Sequence, residues 1–516
     1  MTTAASLDSL KSKLREIHHL HDAAAVLSWD QETYMPAGSG GIRAEQLATL
    51  QTLAHNQFVS PEVESLLGTF IDLDTGSILP NQETTLDDTA QALLRETWRD
   101  FSRARKLPSA FVNKLERECS LAQQIWQEAR KTNDFQRFLP NLERLVRLKQ
   151  QEAEYLGYIE SPYNALLDTF EPGSTVAQLR PLFAELRTHL IRLLGQIRNS
   201  PVQPNTNLLT QSFDTSKQVD FGRLVLKQMG YNFQRGRLDL SAHPFTTAFH
   251  PTDARVTTRV FEHDMPSCLF SCIHEGGHGL YEQGLSPQQY GTPLGEAISL
   301  GIHESQSRLW ENSVGRSQAF WKYYYPKLQE TFPEQLGAVQ ADEFYLAINQ
   351  VVPSLIRVEA DELTYNLHIM VRFEIELEVI EGRVEVDELP EIWNAKIQEY
   401  LGVTPSNDAE GVLQDVHWSF GAFGYFPTYT LGNLYAAMLF QQAKKDMADL
   451  EQNIGQGNFL PLKSWLNDHV HKWGRQYSAS DLIQRVTGQA LTSEPFVKDL
   501  EEKFSNLYQL STENSS

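Results

Sequence analysis

The chain has 516 residues, of which 41% are hydrophobic and 21% charged, and a net charge of −22. This is ordinary globular composition with enough apolar material for a sizeable core, and the acidic balance argues against nucleic acid and anionic membranes, both of which need a basic footprint. An odd, low count of 3 cysteines, Cys119, Cys268 and Cys272, argues against a disulfide framework and for a reducing compartment.

The first residues show no charged segment followed by an apolar stretch, so no signal peptide is read. No apolar run approaches the length of a membrane span, and the expectation is a soluble cytoplasmic protein. Apolar residues recur at three- and four-residue spacing through 7–27, 43–55, 87–105, 110–131, 135–156, 176–197 and 208–229, which predicts amphipathic helices. A loop is expected at about 74–85, and the Pro- and Asn-rich stretch 199–205 is the best linker. His18, His19 and His21 cluster on a surface-like helix and read as non-functional. The helical period fades over 231–263, where 255–261 alternates and is β-branched, so a small hairpin or sheet is expected. Helices resume from about Ser267, and a long one is expected after Pro353. The stretch 421–432 reads as an ordered aromatic loop.

The informative segment is His274-Glu275-Gly276-Gly277-His278. Two histidines four residues apart on a helix present their rings on one face, where one tetrahedral zinc can take both. The glutamate between them can reach water at the metal as general base, so the leading reading is a zinc peptidase. Two glycines inside a helix cost about 1 kcal/mol each relative to alanine, and make sense where substrate or another backbone passes close. Leu269, Cys272, Ile273, Gly276 and Leu280 form an apolar stripe beside that face. Cys268 and Cys272 could serve as further ligands, but free cysteine is more often a small buried residue.

A catalytic zinc needs a third protein ligand and an open position. Glu282, Glu296, Glu304 and Glu311 are the acidic candidates. Glu282 should point past the metal, and Glu304 is weakly favoured, although an ion pair between Glu304 and Arg308 at i, i+4 explains it equally well. Beyond Pro353, Arg357, Asp361, Thr364, His368 and Arg372 form a polar stripe. The pattern favours a solvated face of ion pairs over an arginine fork for a carboxylate. Downstream, His417 and Tyr425 suit donors aimed at an oxyanion, and Asp415 suits a partner fixing a histidine tautomer, while a capped turn with buried aromatics is an equal reading.

Together these segments resemble the family M32 metallocarboxypeptidases, the group typified by thermostable bacterial carboxypeptidase Taq. His243-Pro244-Phe245 is similar to the family's HPF element, and Asp253-Ala254-Arg255-Val256-Thr257 to its DxRxT element. His274 to His278 fits HExxH, and His303-Glu304-Ser305-Gln306 fits HES/GQ. Ile356-Arg357-Val358-Glu359-Ala360-Asp361 fits I/VRxxAD, and the run from Gly411 to Trp418 fits GxxQDxHW. Trp29-Asp30-Gln31, Met35-Pro36 and Arg43 are also family-like. The motifs occur in order over nearly the whole chain.

The resemblance implies a zinc-dependent metallocarboxypeptidase of broad specificity, with cobalt as the alternative metal. It implies His274, His278 and Glu304 as metal ligands and Glu275 as general base. It makes Arg357 the anchor for the substrate's terminal carboxylate, and His417 and Tyr425 contacts to the reacting carbonyl. His243, Asp253 and Arg255 fall on the substrate-binding side, with 253–257 helping to close the groove's far end. Peptides with a free C-terminus are the implied substrates, and a homodimer the implied assembly. The implied fold is all-α with a small β element near the active site, similar to neurolysin and angiotensin-converting enzyme. It is one peptidase domain over 1–508 made of two interleaved lobes, about 1–200 and about 207–508, with 509–516 a disordered tail. An endopeptidase or peptidyl-dipeptidase on the same scaffold is the alternative. A non-catalytic helical protein with a structural zinc is disfavoured, because such sites are closed by four protein ligands and only three are evident.

Overall fold

The computed structural model describes residues 3–510. Helices dominate, and their starts are written in short polar side chains. Asp87 accepts from the backbone N–H of Ala90, Asp134 from that of Arg137 and Asp264 from that of Ser267, each supplying a first-turn N–H with a partner. Thr175 and Gln178 exchange side-chain and backbone bonds at the start of Val176–Arg198. Asn133, in the left-handed region at φ 54°, ends Ser109–Thr132.

The apolar faces of these helices bury in two clusters. The larger runs from Ala122 to Tyr508 and contains the segments around the motif. The smaller is built from Leu10, Val63, Leu93 and Phe101, on helices Thr3–Thr33, Pro61–Gly68 and Asp88–Lys106, with Phe70 in the turn after the second of these. Polar contacts stitch the two together. Arg475 binds Asp100 at 2.7 Å, Glu96 at 3.1 Å and Glu296 at 3.2 Å, and Arg99 and Arg103 share Asp168.

A three-stranded sheet interrupts the helices where the helical period fades. β1 (Leu238–Leu240) runs parallel to β3 (Asp253–Thr258), and β2 (Thr246–His250) pairs antiparallel on β3's other side. The central strand buries Ala254 and Val256. The helix Met265–Gly284 packs on it through Gly279, where a Cβ would come within 2.9 Å of Val256 Cγ1. That close approach explains a third glycine near the motif.

Four expectations change. The segment 208–229 is not one helix: Thr206–Leu209 is a short 3₁₀ turn, and Asp214 restarts the chain as Thr215–Met229 by accepting from Ser216 and Lys217. The helix after Pro353 starts only at Thr364, because Asp361 accepts from Leu363 N, Thr364 N and Thr364 Oγ1 and caps it there, leaving Arg357–Glu359 as a 3₁₀ turn. The aromatic loop ends at Pro427, whose fixed φ opens the helix Pro427–Asp446. Pro61–Gly68, capped by Ser60, is a helix that periodicity did not single out. The expected tail falls mainly on 511–516, outside the described residues; Leu510 packs against the larger core.

Candidate active site

The motif helix Met265–Gly284 lies across Leu300–Arg308, and the glycine pair makes the crossing close. A Cβ at Gly277 would sit 2.6 Å from the carbonyl oxygen of Gln306, and one at Gly276 would sit 2.2 Å from Leu226 Cδ2. The glycines are therefore there for helix packing. On the far side, a Cβ at Gly432 would meet Glu304 Cγ at 2.5 Å, so Pro427–Asp446 presses Glu304 towards the motif helix. Buried Glu171 holds the start of Leu300–Arg308, accepting from Gly301 N at 2.9 Å and Ser299 Oγ at 3.0 Å.

This packing brings three donors together. Glu304 Oε2 lies 3.6 Å from His274 Nε2 and 3.4 Å from His278 Nε2, and the three ligand atoms all fall within 4.8 Å of one another. Tetrahedral ligands about 2.1 Å from a zinc stand roughly 3.4 Å apart, so the spacing fits one cation. His274 Nδ1 faces Glu311 Oε2 at 2.8 Å; as donor there, it leaves the Nε2 lone pair for metal. Arg308 Nε donates to Glu304 Oε1 at 2.7 Å, which leaves Oε2 as the oxygen facing the imidazoles. The ion pair and the ligand reading of Glu304 therefore coexist. The other acids turn away: Glu282 binds His303 at 2.8 Å and Glu296 binds Arg475. Cys268 and Cys272 are buried elsewhere, beside Thr258 and Gly222, and not among the donors.

Charge is tuned to match. Burial and the neighbouring His303 push His278 down to about 3, keeping it neutral with a lone pair to give. Burial also lowers His274, but Glu304 and Glu311 outweigh it and the net shift is upward. Burial would raise Glu304 and Glu311, yet Arg308 and the imidazoles hold both below the usual range, Glu311 at about 2. Each carboxylate is thus ionised at neutral pH.

Glu275 is buried beside β2, where Thr246 Oγ1 donates to its Oε2 at 2.7 Å and burial raises its pKa. No local pattern marks Thr246, because the contact spans a strand and a helix. His303 stacks on His278 with centroids 4.3 Å apart.

The polar stripe of Arg357, His368 and Arg372 is not solvated: all three are buried, and no single helix carries them. Nor does Asp415 fix a histidine tautomer. Its carboxylate takes Arg357 Nε and Nη2 on one oxygen, at 2.9 and 2.7 Å, and Arg372 Nε on the other at 2.6 Å. Arg357 Nη1 also donates to Tyr365 OH at 3.0 Å. One N–H on each Nη nitrogen is left, enough for a second carboxylate. The Tyr365 ring carries Arg308 on its face at 4.3 Å, linking the Arg357 cluster to the metal cluster.

His417 and Tyr425 lie beside this group, rings 5.2 Å apart. His417 Nε2 is 3.3 Å from Tyr429 OH, its buried Nδ1 has no partner among the described residues, and burial with Arg357 lowers it to about 3. Burial and Glu304 push Tyr425 up to about 12, so it stays a hydroxyl donor. Tyr365 and Tyr429 join them from separate helices, which sequence reading missed.

His243, Asp253 and Arg255 sit apart from this cluster. His243 is exposed between β1 and β2. Asp253 and Arg255 form a two-bond pair at 2.8 and 2.9 Å, and the guanidinium covers Trp29 at 4.4 Å. Arg237 covers the same indole at 5.1 Å, tying the first helix to the sheet. Among the described residues, none of the three bonds to the metal cluster or to Arg357.

The family model for carboxypeptidase Taq (M32) metallopeptidase matches residues 9–504. Thermostable carboxypeptidase 1 of Thermus thermophilus is 42% identical over 98% of this chain and 100% of its own. Carboxypeptidase 1 of Bacillus subtilis is 41% identical over 96% and 97%. Among solved structures, the M32 carboxypeptidase of Deinococcus radiodurans R1 superposes with a TM-score of 0.93 at 39% identity, covering 98% of this chain and 100% of that one. Metallocarboxypeptidase 1 of Trypanosoma cruzi gives 0.90 at 33%, covering 97% and 99%.

Proposed function

The chain belongs to the carboxypeptidase Taq (M32) metallopeptidases and is a metallocarboxypeptidase, and from that premise we propose that it strips C-terminal residues of broad type from peptides with zinc held by His274, His278 and Glu304. Zinc held there would supply Lewis acidity for the scissile carbonyl and a more acidic water, with cobalt as the alternative metal. Glu275 accepts the proton of the attacking water and passes it to the leaving amine. Thr246 holds its Oε2 and leaves Oε1 for that task. His417 and Tyr425 donate to the developing oxyanion. Arg357, braced by Asp415 and Tyr365, takes the free carboxylate on its remaining N–H groups, which makes the enzyme an exopeptidase. The Asp253–Arg255 pair closes the groove's far end near Trp29, and His243 lies on the substrate side. The enzyme works as a cytoplasmic homodimer, each chain one peptidase domain of two interleaved lobes.

The observation that carries this reading is the pair of Nε2–Oε2 separations, 3.6 and 3.4 Å, with the other oxygen of Glu304 taken by Arg308. Mass spectrometry of a digested peptide, with chelator and with added zinc, tests it. A ladder of single C-terminal losses that disappears with chelator and returns with zinc is expected. Internal cleavage, or dipeptide loss, would mean an endopeptidase or peptidyl-dipeptidase on this scaffold.

A further inference from the structure

Glu376 lies within the helix Thr364–Ile380, has no exposed surface and belongs to none of the sequence motifs. Its Oε1 accepts from Trp418 Nε1 at 2.8 Å, and its Oε2 from Gly424 N at 3.0 Å and Tyr163 OH at 2.7 Å. Trp418 immediately follows His417, and Gly424 immediately precedes Tyr425. One carboxylate therefore holds both ends of the turn that carries the two residues facing the reacting carbonyl.

The turn itself is tight. Ala422 N donates to His417 O at 3.0 Å, and Gly421 N donates to Trp418 O at 3.1 Å. Gly424 has φ 94°, and a Cβ there would lie 2.7 Å from Leu167 N, so the chain is pressed on Pro162–Phe170, the helix that also supplies Tyr163. Among the described residues Glu376 has no ion-pair partner to justify its burial: Arg372, the neighbouring cation, spends its donors on Asp415, Gln414 and the His368 carbonyl. A buried carboxylate costs more than an apolar side chain of the same volume unless its hydrogen bonds fix something specific.

We propose that Glu376 is a positioning residue for hydrolysis, a strut that sets His417 and Tyr425 at the height of the developing oxyanion. The inference rests on the oxyanion role given to those two residues above. Glutamine cannot replace it, since one end of the amide would meet a donor with a donor.

The test uses zinc-loaded full-length protein. Glu376→Gln is expected to lower kcat by roughly 10- to 100-fold, the scale of a small misplacement of reacting groups, with KM held within about threefold. Affinity for a phosphinic peptide, whose tetrahedral oxygen mimics the oxyanion, should fall by the same factor as kcat/KM, while affinity for a free amino-acid product stays unchanged. Tyr163→Phe removes one strut with little change of volume and should lower kcat several-fold alone; it decides the matter if Glu376→Gln does not fold. Wild-type kcat in a folded, zinc-replete Glu376→Gln protein would overturn the proposal, as would equal loss of product and phosphinic-peptide affinity. His417→Ala and Tyr425→Phe are measured beside it. Loss of turnover in them without loss in Glu376→Gln removes only the strut, whereas wild-type turnover in them removes the oxyanion role itself and the strut with it.

Discussion

Replacing Glu311 by glutamine should weaken metal binding without touching a ligand. Glu311 Oε2 faces His274 Nδ1 at 2.8 Å, and Arg308 and Arg316 approach the same carboxylate at 3.3 and 3.5 Å. Two effects compete in the variant. A bare carboxylate roughly 6 Å from a divalent cation would interact by about 5 kcal/mol at an effective dielectric of 20. The two guanidinium groups offset most of that, so loss of the long-range term is small. The hydrogen bond dominates: a neutral amide oxygen still orients the ring but makes its Nε2 a poorer base. Losses at such outer partners run about 10- to 100-fold in metal affinity, or about 1.4–2.7 kcal/mol. Zinc competition against a chromophoric chelator at fixed pH reads this directly, with Glu304→Gln as the variant expected to lose binding altogether. A Glu311→Gln protein that folds and binds zinc within twofold of wild type would refute the reasoning.

Glu275→Gln should keep its metal and lose turnover by roughly 10²- to 10⁴-fold, the range of a removed general base; metal analysis beside kcat checks both halves. Arg357→Ala should cost peptides with a free C-terminus about 100-fold in kcat/KM, from loss of charge-assisted bonds of about 1.5–3 kcal/mol, and spare amidated peptides; equal loss on both refutes the anchor. Gly432→Ala puts a Cβ 2.5 Å from Glu304 Cγ, and should cost about 1–3 kcal/mol of stability and part of the zinc affinity, read by melting and competition. In the metal-free protein, Glu311 and Asp415 have pKa values below those of free carboxylates. Their stabilisation is complete above the unfolded values near about 4 and is lost as pH falls through the folded ones. Acid denaturation should thus deepen below pH ~4, and Glu311→Gln should flatten that slope.

Much of this site is local in sequence. His274 and His278 share a helical face, and that spacing places both rings where one cation could take them. Helices such as Phe135–Leu156 and Val176–Arg198 follow from periodicity plus a polar cap. What periodicity could not reveal are contacts between distant segments. Arg357 and Arg372 read as one solvated stripe because both fit a helical period, yet Asp361 caps the helix between them and Asp415, from a distant loop, pairs with both inside the core. Asp415 looked like a histidine's partner for the same reason: it is two residues from His417 in the chain, but its carboxylate points to the arginines. Thr246, Tyr365 and Tyr429 carry no signal, since each acts only by meeting residues from another element. Gly276 and Gly277 were conspicuous, but only the fold separates close substrate approach from a neighbouring helix, and Gln306 and Leu226 show that it is the neighbour.

Anomalous diffraction at the zinc edge from zinc-loaded crystals tests the central claim most directly. One peak is expected, about 2.0–2.2 Å from His274 Nε2, His278 Nε2 and Glu304 Oε2, with at least one further position open to solvent. A peak elsewhere in the chain, or a fourth protein ligand closing the coordination shell, would contradict it.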